Sequence, residues 1–274
     1  MIMIKIRSRC ILVGLFYLFF AASASEASVL SDMAKELVKK TADSSVVVGT
    51  DGWLFLKEEL IHVGSGKFWG EEAAAVSRTQ KKQYADPLPA ILAYNKLLAE
   101  KGITLYLMAV PPKSLVYADK LGFEVGSDIM EEQAAMYEKF YGLLSNGGVK
   151  VIDLLPALLE KRKDSDVYCK TDTHFSAEGI KLFAEAAAAV IKQTEWYAKA
   201  TRKEYVQSPR SLTIRGDLAR MAELPDMEES LELTFVTVKE SGQPEISDPA
   251  SPVILLGDSH TLVFSAGGDL HAQG

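Results

Sequence analysis

The chain has 274 residues, 48% of them hydrophobic and 24% charged, with a formal net charge of −7. That size and apolar content fit one sizeable globular domain, or a domain with a small appendage. The acidic balance argues against a nucleic-acid partner, which would call for a basic face.

The N-terminus reads as a secretory signal. Lys5, Arg7 and Arg9 form its positive region, Cys10 to Ala22 is almost continuously apolar, and Ala22-Ser23-Ala24 is a small-residue cleavage site. Ser25-Glu26-Ala27 is a second candidate site. The apolar run, roughly 13 residues, is short for a membrane span; an uncleaved N-terminal anchor is the competing reading. Removing Lys5, Arg7 and Arg9 from 30 basic side chains leaves 27 against 37 acidic ones, a balance of −10. Of the two cysteines only Cys169 then remains, so the processed chain has no intramolecular disulfide to form. The expected division is a signal peptide over 1–24, a helical lead-in over 25–44 and an α/β domain over 45–274.

Val29, Leu30, Met33, Leu37 and Val38 recur at helical spacing and predict an amphipathic helix. Val46–Val48 and Trp53–Leu56 flank an Asp51-Gly52 turn and predict a hairpin. Residues 71–101 are helical in composition, interrupted by Pro87 and Pro89, and Gly102 stops them. Ile103–Val110 and Val149–Leu154 read as strands, the first apolar on both faces as in a central parallel sheet. Asp128–Leu144 reads as a helix, and Ser176 caps another that runs to about Gln193. Leu231–Val238 is a strand, and Val253–Leu256 is a short buried strand leading into Gly257-Asp258-Ser259. Alternating strands and helices indicate an α/β fold with a mostly parallel central sheet, whose ligands bind beyond the strand ends.

Ser259 follows directly on such a strand end. A serine hydroxyl needs a base to take its proton, and a histidine base needs a carboxylate to fix its tautomer. Asp172 and His174, separated by Thr173, offer both in a tight segment ahead of the Ser176 cap. The three side chains make a candidate Ser-His-Asp triad for acyl transfer to water or an alcohol, with backbone N–H groups around Ser259 as oxyanion donors. Taken alone, each motif also has a plain reading: Asp258 as a turn residue, Asp172 and Thr173 as loop residues, His174 as a structural histidine. His260 is a runner-up base, and Cys169 reads as a bystander thiol. His62, His174, His260 and His271 show no metal-ligand spacing, so neither a metal nor a cofactor is expected. Trp53, Trp69 and Tyr117 are either core residues or platforms for a sugar; Lys113 reads as a solvated loop lysine.

Four segments occur in a fixed order: Gly49-Thr-Asp-Gly-Trp-Leu-Phe-Leu56, Val110-Pro-Pro-Lys-Ser-Leu-Val-Tyr117, Lys170-Thr-Asp-Thr-His-Phe-Ser176 and Gly257-Asp-Ser259. In this the chain resembles the AlgX/AlgJ family of alginate O-acetyltransferases, with an SGNH hydrolase-like domain, from about residue 45 to about 265. Gly216-Asp217-Leu218 also fits the family's pattern; Phe175 stands where relatives often carry tryptophan. The resemblance implies a three-layer fold, with Ser259 as nucleophile, His174 as general base and Asp172 as the acid that orients it. It also implies export to the periplasm, a secreted polysaccharide as acceptor, and a membrane-bound O-acyltransferase or another partner as acetyl source. The family's domain continues well past its Gly-Asp-Ser motif, so this one is expected to be incomplete at its C-terminus. The same triad would serve a carbohydrate esterase, and a non-catalytic glycan-binding module of an export complex is the third reading.

Overall fold

The computed structural model describes residues 29–263, apart from 42, 125 and 247; the predicted signal segment and the last residues lie outside them. The predicted first helix is α1, Val29–Lys40. Asp32 lies in its first turn and Lys39 and Lys40 in its last, the charge order that its dipole favours. Its buried Leu30 and Ala34 join the main core, and Ser31 Oγ donates to Gly64 O at 2.8 Å. Residues of α1 therefore share the main core with those that follow.

The hairpin follows as β1, Val46–Val48, and β2, Leu54–Leu56, antiparallel with Val47 opposite Phe55. Asp51 and Gly52 both take positive φ, 53° and 80°, the mirror-image turn that matches strand twist. Helix α2, Lys57–Ser65, buries Leu60 and Val63.

After the short α3, Ala73–Val76, comes α4, Pro87–Ala99. The prolines begin this helix rather than interrupt it. Asp86 caps it by accepting from Leu88 N at 3.0 Å, and proline costs nothing in a first turn whose N–H groups have no helical partner.

The predicted strands 103–110 and 149–154 are much shorter in the structure. Only β3, Tyr106–Leu107, and β4, Lys150–Val151, pair, in parallel. Between them lie α5, Lys113–Val116, and α6, Ser127–Asn146. Then follow α7, Leu155–Lys161, and α8, Ala177–Ile191, which Ser176 caps by accepting from Gly179 N.

Beyond α9, Glu195–Lys199, the chain forms an antiparallel ribbon. Its strands are β5, Tyr205–Ile214, and β6, Glu229–Val238, with the short α10, Asp217–Met221, between them. Val253–Leu256 pairs with no strand among the described residues, and Ile254 and Leu256 are 87% and 83% exposed. The expected buried strand is an exposed extended lead into α11, Ser259–Leu262.

The main core gathers Leu30, Trp53, Phe55, Leu60, Leu115, Leu144, Leu158 and Phe175. A smaller cluster of Cys169, Ile214, Leu231, Leu233 and Val263 lies where the 169–174 loop, the ribbon and α11 meet. Among the described residues no helix is long and apolar enough to cross a membrane.

Candidate active site

A tight loop carries two of the three predicted residues. Cys169 N donates to His174 O at 3.0 Å, Ser176 N donates to Val167 O at 3.1 Å, and Tyr168 and Phe175 form a β-bridge. Inside this closure Asp172 Oδ1 accepts from His174 N at 3.0 Å, the local turn that an aspartate makes with a residue two places on. The same oxygen lies 2.6 Å from His174 Nδ1. On the other side of the ring, His174 Nε2 is 2.7 Å from Ser259 Oγ. The structure thus joins Asp172, His174 and Ser259 in one hydrogen-bonded line, although His174 and Ser259 are 85 residues apart in sequence. Asp172 is fully buried, His174 nearly so, and Ser259 is exposed to solvent.

Ionisation follows from that placement. Burial opposes charge on Asp172, but hydrogen bonds from His174 and from Asp217 N outweigh it and hold the carboxyl below its ordinary value. Burial likewise opposes charge on His174, yet the Asp172 hydrogen bond and charge win, and the imidazole titrates above its ordinary value. A base tied to a buried carboxylate is what proton removal from Ser259 requires.

His260, the runner-up base, lies beside this line rather than in it. Its ring lies 4.9 Å from that of His174, with Nδ1 3.5 Å from Asp258 Oδ1. Burial, and then the neighbouring His174, push it down to about 4. Two expected oxyanion donors are already engaged: His260 N donates to Asp258 Oδ1 at 3.0 Å and Thr261 N to Asp258 O at 3.1 Å.

Three supports of the loop were not assigned that role from the sequence. Glu229 on β6 accepts from Lys170 N at 2.8 Å and from Thr171 N and Oγ1, both at 2.7 Å. Asp217 accepts from Thr173 N at 2.7 Å, and its own N–H donates to Asp172 Oδ2 at 2.8 Å. Lys113, expected in solvent, is 1% exposed and donates to the Asp172 carbonyl at 2.9 Å. Burial, reinforced by Asp172's charge, raises the Asp217 carboxyl.

Asp172, His174 and Asp217 also present ligand-type atoms within 4.8 Å of one another. Within this group Asp172 Oδ1 accepts from His174 N and Asp172 Oδ2 from Asp217 N, while Asp217 Oδ1 accepts from Thr173 N. Trp53, Trp69 and Tyr117 are 1%, 6% and 2% exposed, with Trp53 stacked on Tyr117 at 3.8 Å; they pack the core and offer no face to a sugar. Cys169 is buried, its Sγ 3.4 Å from Phe175 O, and burial raises its thiol well above the ordinary range.

The profile of the family described as "ALGX: SGNH hydrolase-like domain, acetyltransferase AlgX" matches residues 46–267. The chain belongs to this family. Among its relatives is the "Probable alginate O-acetylase AlgJ" of Pseudomonas syringae pv. tomato, 26% identical over 81% of this chain and 53% of that protein. The protein of the same name from Pseudomonas aeruginosa is 27% identical over 63% of this chain and 40% of its own length. The chain thus spans about half the length of these relatives, or less. Among solved structures, the "O-Acetyltransferase Domain of Pseudomonas putida AlgJ" superposes with a TM-score of 0.51 at 22% identity, over 72% of this chain and 66% of that one. The ALGX-family fold is SGNH hydrolase-like α/β. Among the described residues a mostly parallel central sheet is not seen: the β3–β4 pair is parallel, and the other two ladders are antiparallel.

Proposed function

We propose that this chain carries the catalytic domain of a polysaccharide O-acetyltransferase, acting through an acetyl-Ser259 intermediate with His174 as base and Asp172 as its orienting acid. One observation carries the reading: His174 bridges Ser259 Oγ at 2.7 Å and Asp172 Oδ1 at 2.6 Å. Ser259 Oγ attacks the carbonyl carbon of an acetyl ester as its proton passes to His174 Nε2. The C–O bond to the leaving alcohol breaks, and His174 returns the proton to that oxygen. An acceptor hydroxyl then gives its proton to His174 and attacks the acetyl carbon. Ser259 Oγ leaves and regains the proton.

The acceptor is a hydroxyl of alginate or a similar exopolysaccharide, a class that the names of the family relatives support. The chain works after export to the periplasm, with a membrane-bound O-acyltransferase or another protein as acetyl source. The functional domain begins near residue 45, and α1 braces it.

Incubation with an activated acetyl ester, followed by peptide mass spectrometry, is expected to find acetate on Ser259. Added oligosaccharide should then discharge it as sugar ester. No adduct, together with unchanged transfer by Ser259→Ala, sinks the mechanism. Rapid acetate release that is indifferent to added sugar would assign the exposed Ser259 to an esterase.

A further inference from the structure

Lys113 opens α5 inside the protein, and burial of an ammonium is costly unless it is well partnered. Its Nζ donates to Leu54 O at 2.6 Å, Asp172 O at 2.9 Å and Lys170 O at 3.1 Å. Three carbonyls match the three protons of an ammonium. The rings of Trp53 and Phe55 lie 5.3 and 5.5 Å from the same nitrogen and add cation–π attraction. Burial pulls the amine down to about 8, with Glu59, Glu229 and Asp172 drawing it back up, so it is mostly protonated at neutral pH.

The acceptors join two segments distant in sequence. Leu54 belongs to β2, whereas Lys170 and Asp172 belong to the loop that presents the triad acid and base. Leu54 N also donates to Lys170 O at 2.9 Å, so the ammonium closes a junction that the backbone begins. We propose that Lys113 is a positioning residue: it pins the backbone of Lys170 and Asp172 to β2 and thereby aims the Asp172 carboxylate at His174 Nδ1. The inference rests on the acyl-transfer reading of Ser259, so its test includes a quantity that does not depend on turnover.

The charged and titratable groups facing His174 are Asp172 on its own loop, Asp217 on α10, and Asp258 and His260 beside Ser259. Loss of positioning weakens the Asp172 contact, and the His174 titration then moves to lower pH. Simple removal of a positive charge would move it to higher pH. The experiment measures kcat and KM for acetyl-Ser259 formation, and the His174 titration by NMR, in the full chain and in Lys113→Met and Lys113→Arg.

Lys113→Met is expected to lower kcat by roughly tenfold or more, to leave KM within about twofold, and to lower the His174 titration. Lys113→Arg keeps the charge and donors in a different geometry and should recover part of both. A folded Lys113→Met with wild-type kcat and wild-type His174 titration overturns the proposal. So does a raised KM at unchanged kcat, which marks a substrate contact, or a raised His174 titration, which marks a charge effect alone. If Lys113→Met does not fold, the same readouts on Lys113→Arg decide by the same signs. If the wild-type chain forms no acetyl-Ser259, the acyl-transfer reading fails, and the His174 titration still judges Lys113.

Discussion

Glu229 and Thr171 meet twice at a single oxygen: the Thr171 N–H and hydroxyl both donate to Glu229 Oε1 at 2.7 Å. The other carboxylate oxygen takes Lys170 N, so one side chain from the ribbon satisfies the backbone entering the triad loop. Glu229→Ala leaves those donors, on the 3%-exposed Thr171 above all, without an acceptor. The expected loss is about 2–4 kcal/mol in urea unfolding, at roughly 1–3 kcal/mol per orphaned buried group. Glu229→Gln keeps one acceptor oxygen and should fall between the two. Equal stability of all three proteins would show that the ribbon does not hold the loop.

Gly216 lets α10 approach that loop. A Cβ at this position would collide with the Thr171 carbonyl and crowd Asp172 N. Gly216 N also donates to Thr171 Oγ1 at 3.1 Å, and Ala219 N to Thr171 O at 3.1 Å. Gly216→Ala is expected to destabilise by about 1–3 kcal/mol, the range for overpacking a tight contact. It should also reduce acetyl-Ser259 formation, because lifting α10 withdraws Asp217 N from Asp172 Oδ2. Full activity in a destabilised variant would separate this docking from the chemistry.

Local rules made α1, the Asp51-Gly52 hairpin and the Ser176 cap legible, because each depends on residues a few positions apart. The hydrogen-bonded line of Asp172, His174 and Ser259 was legible from two short motifs together with the family resemblance of the ordered segments around them. The supporting roles of Lys113 and Glu229 were not, because their partners, mostly backbone groups, lie 57 to 59 residues away, and no side-chain pattern records those. Strand β5 was missed because most of it is exposed and includes Pro209, which carries no apolar alternation. The run Val253–Leu256 misled in the opposite direction: an apolar stretch specifies a strand only where another strand lies beside it.

That run gives a direct check. Ile254 is 87% exposed, so Ile254→Thr should change unfolding free energy by no more than about 0.5 kcal/mol. A strand buried on both faces would lose more than about 1 kcal/mol from the same change. A loss of that larger size in urea unfolding would place residue 254 in a packed sheet.

The pH profile tests the proposed roles most sharply. His174 must be neutral to accept the Ser259 proton, and kcat/KM reports the free enzyme. Activity should therefore rise with pH through a midpoint above 6.5, because Asp172 stabilises the imidazolium against the desolvation that opposes it. His260, which titrates at about 4, has already lost its proton over that range and contributes nothing to the limb. Asp172→Asn removes the carboxylate charge and permits the wrong tautomer. It should cut kcat by roughly 10³- to 10⁴-fold and move the remaining limb to lower pH. A midpoint that stays where it was in Asp172→Asn would mean that the titrating base is not His174.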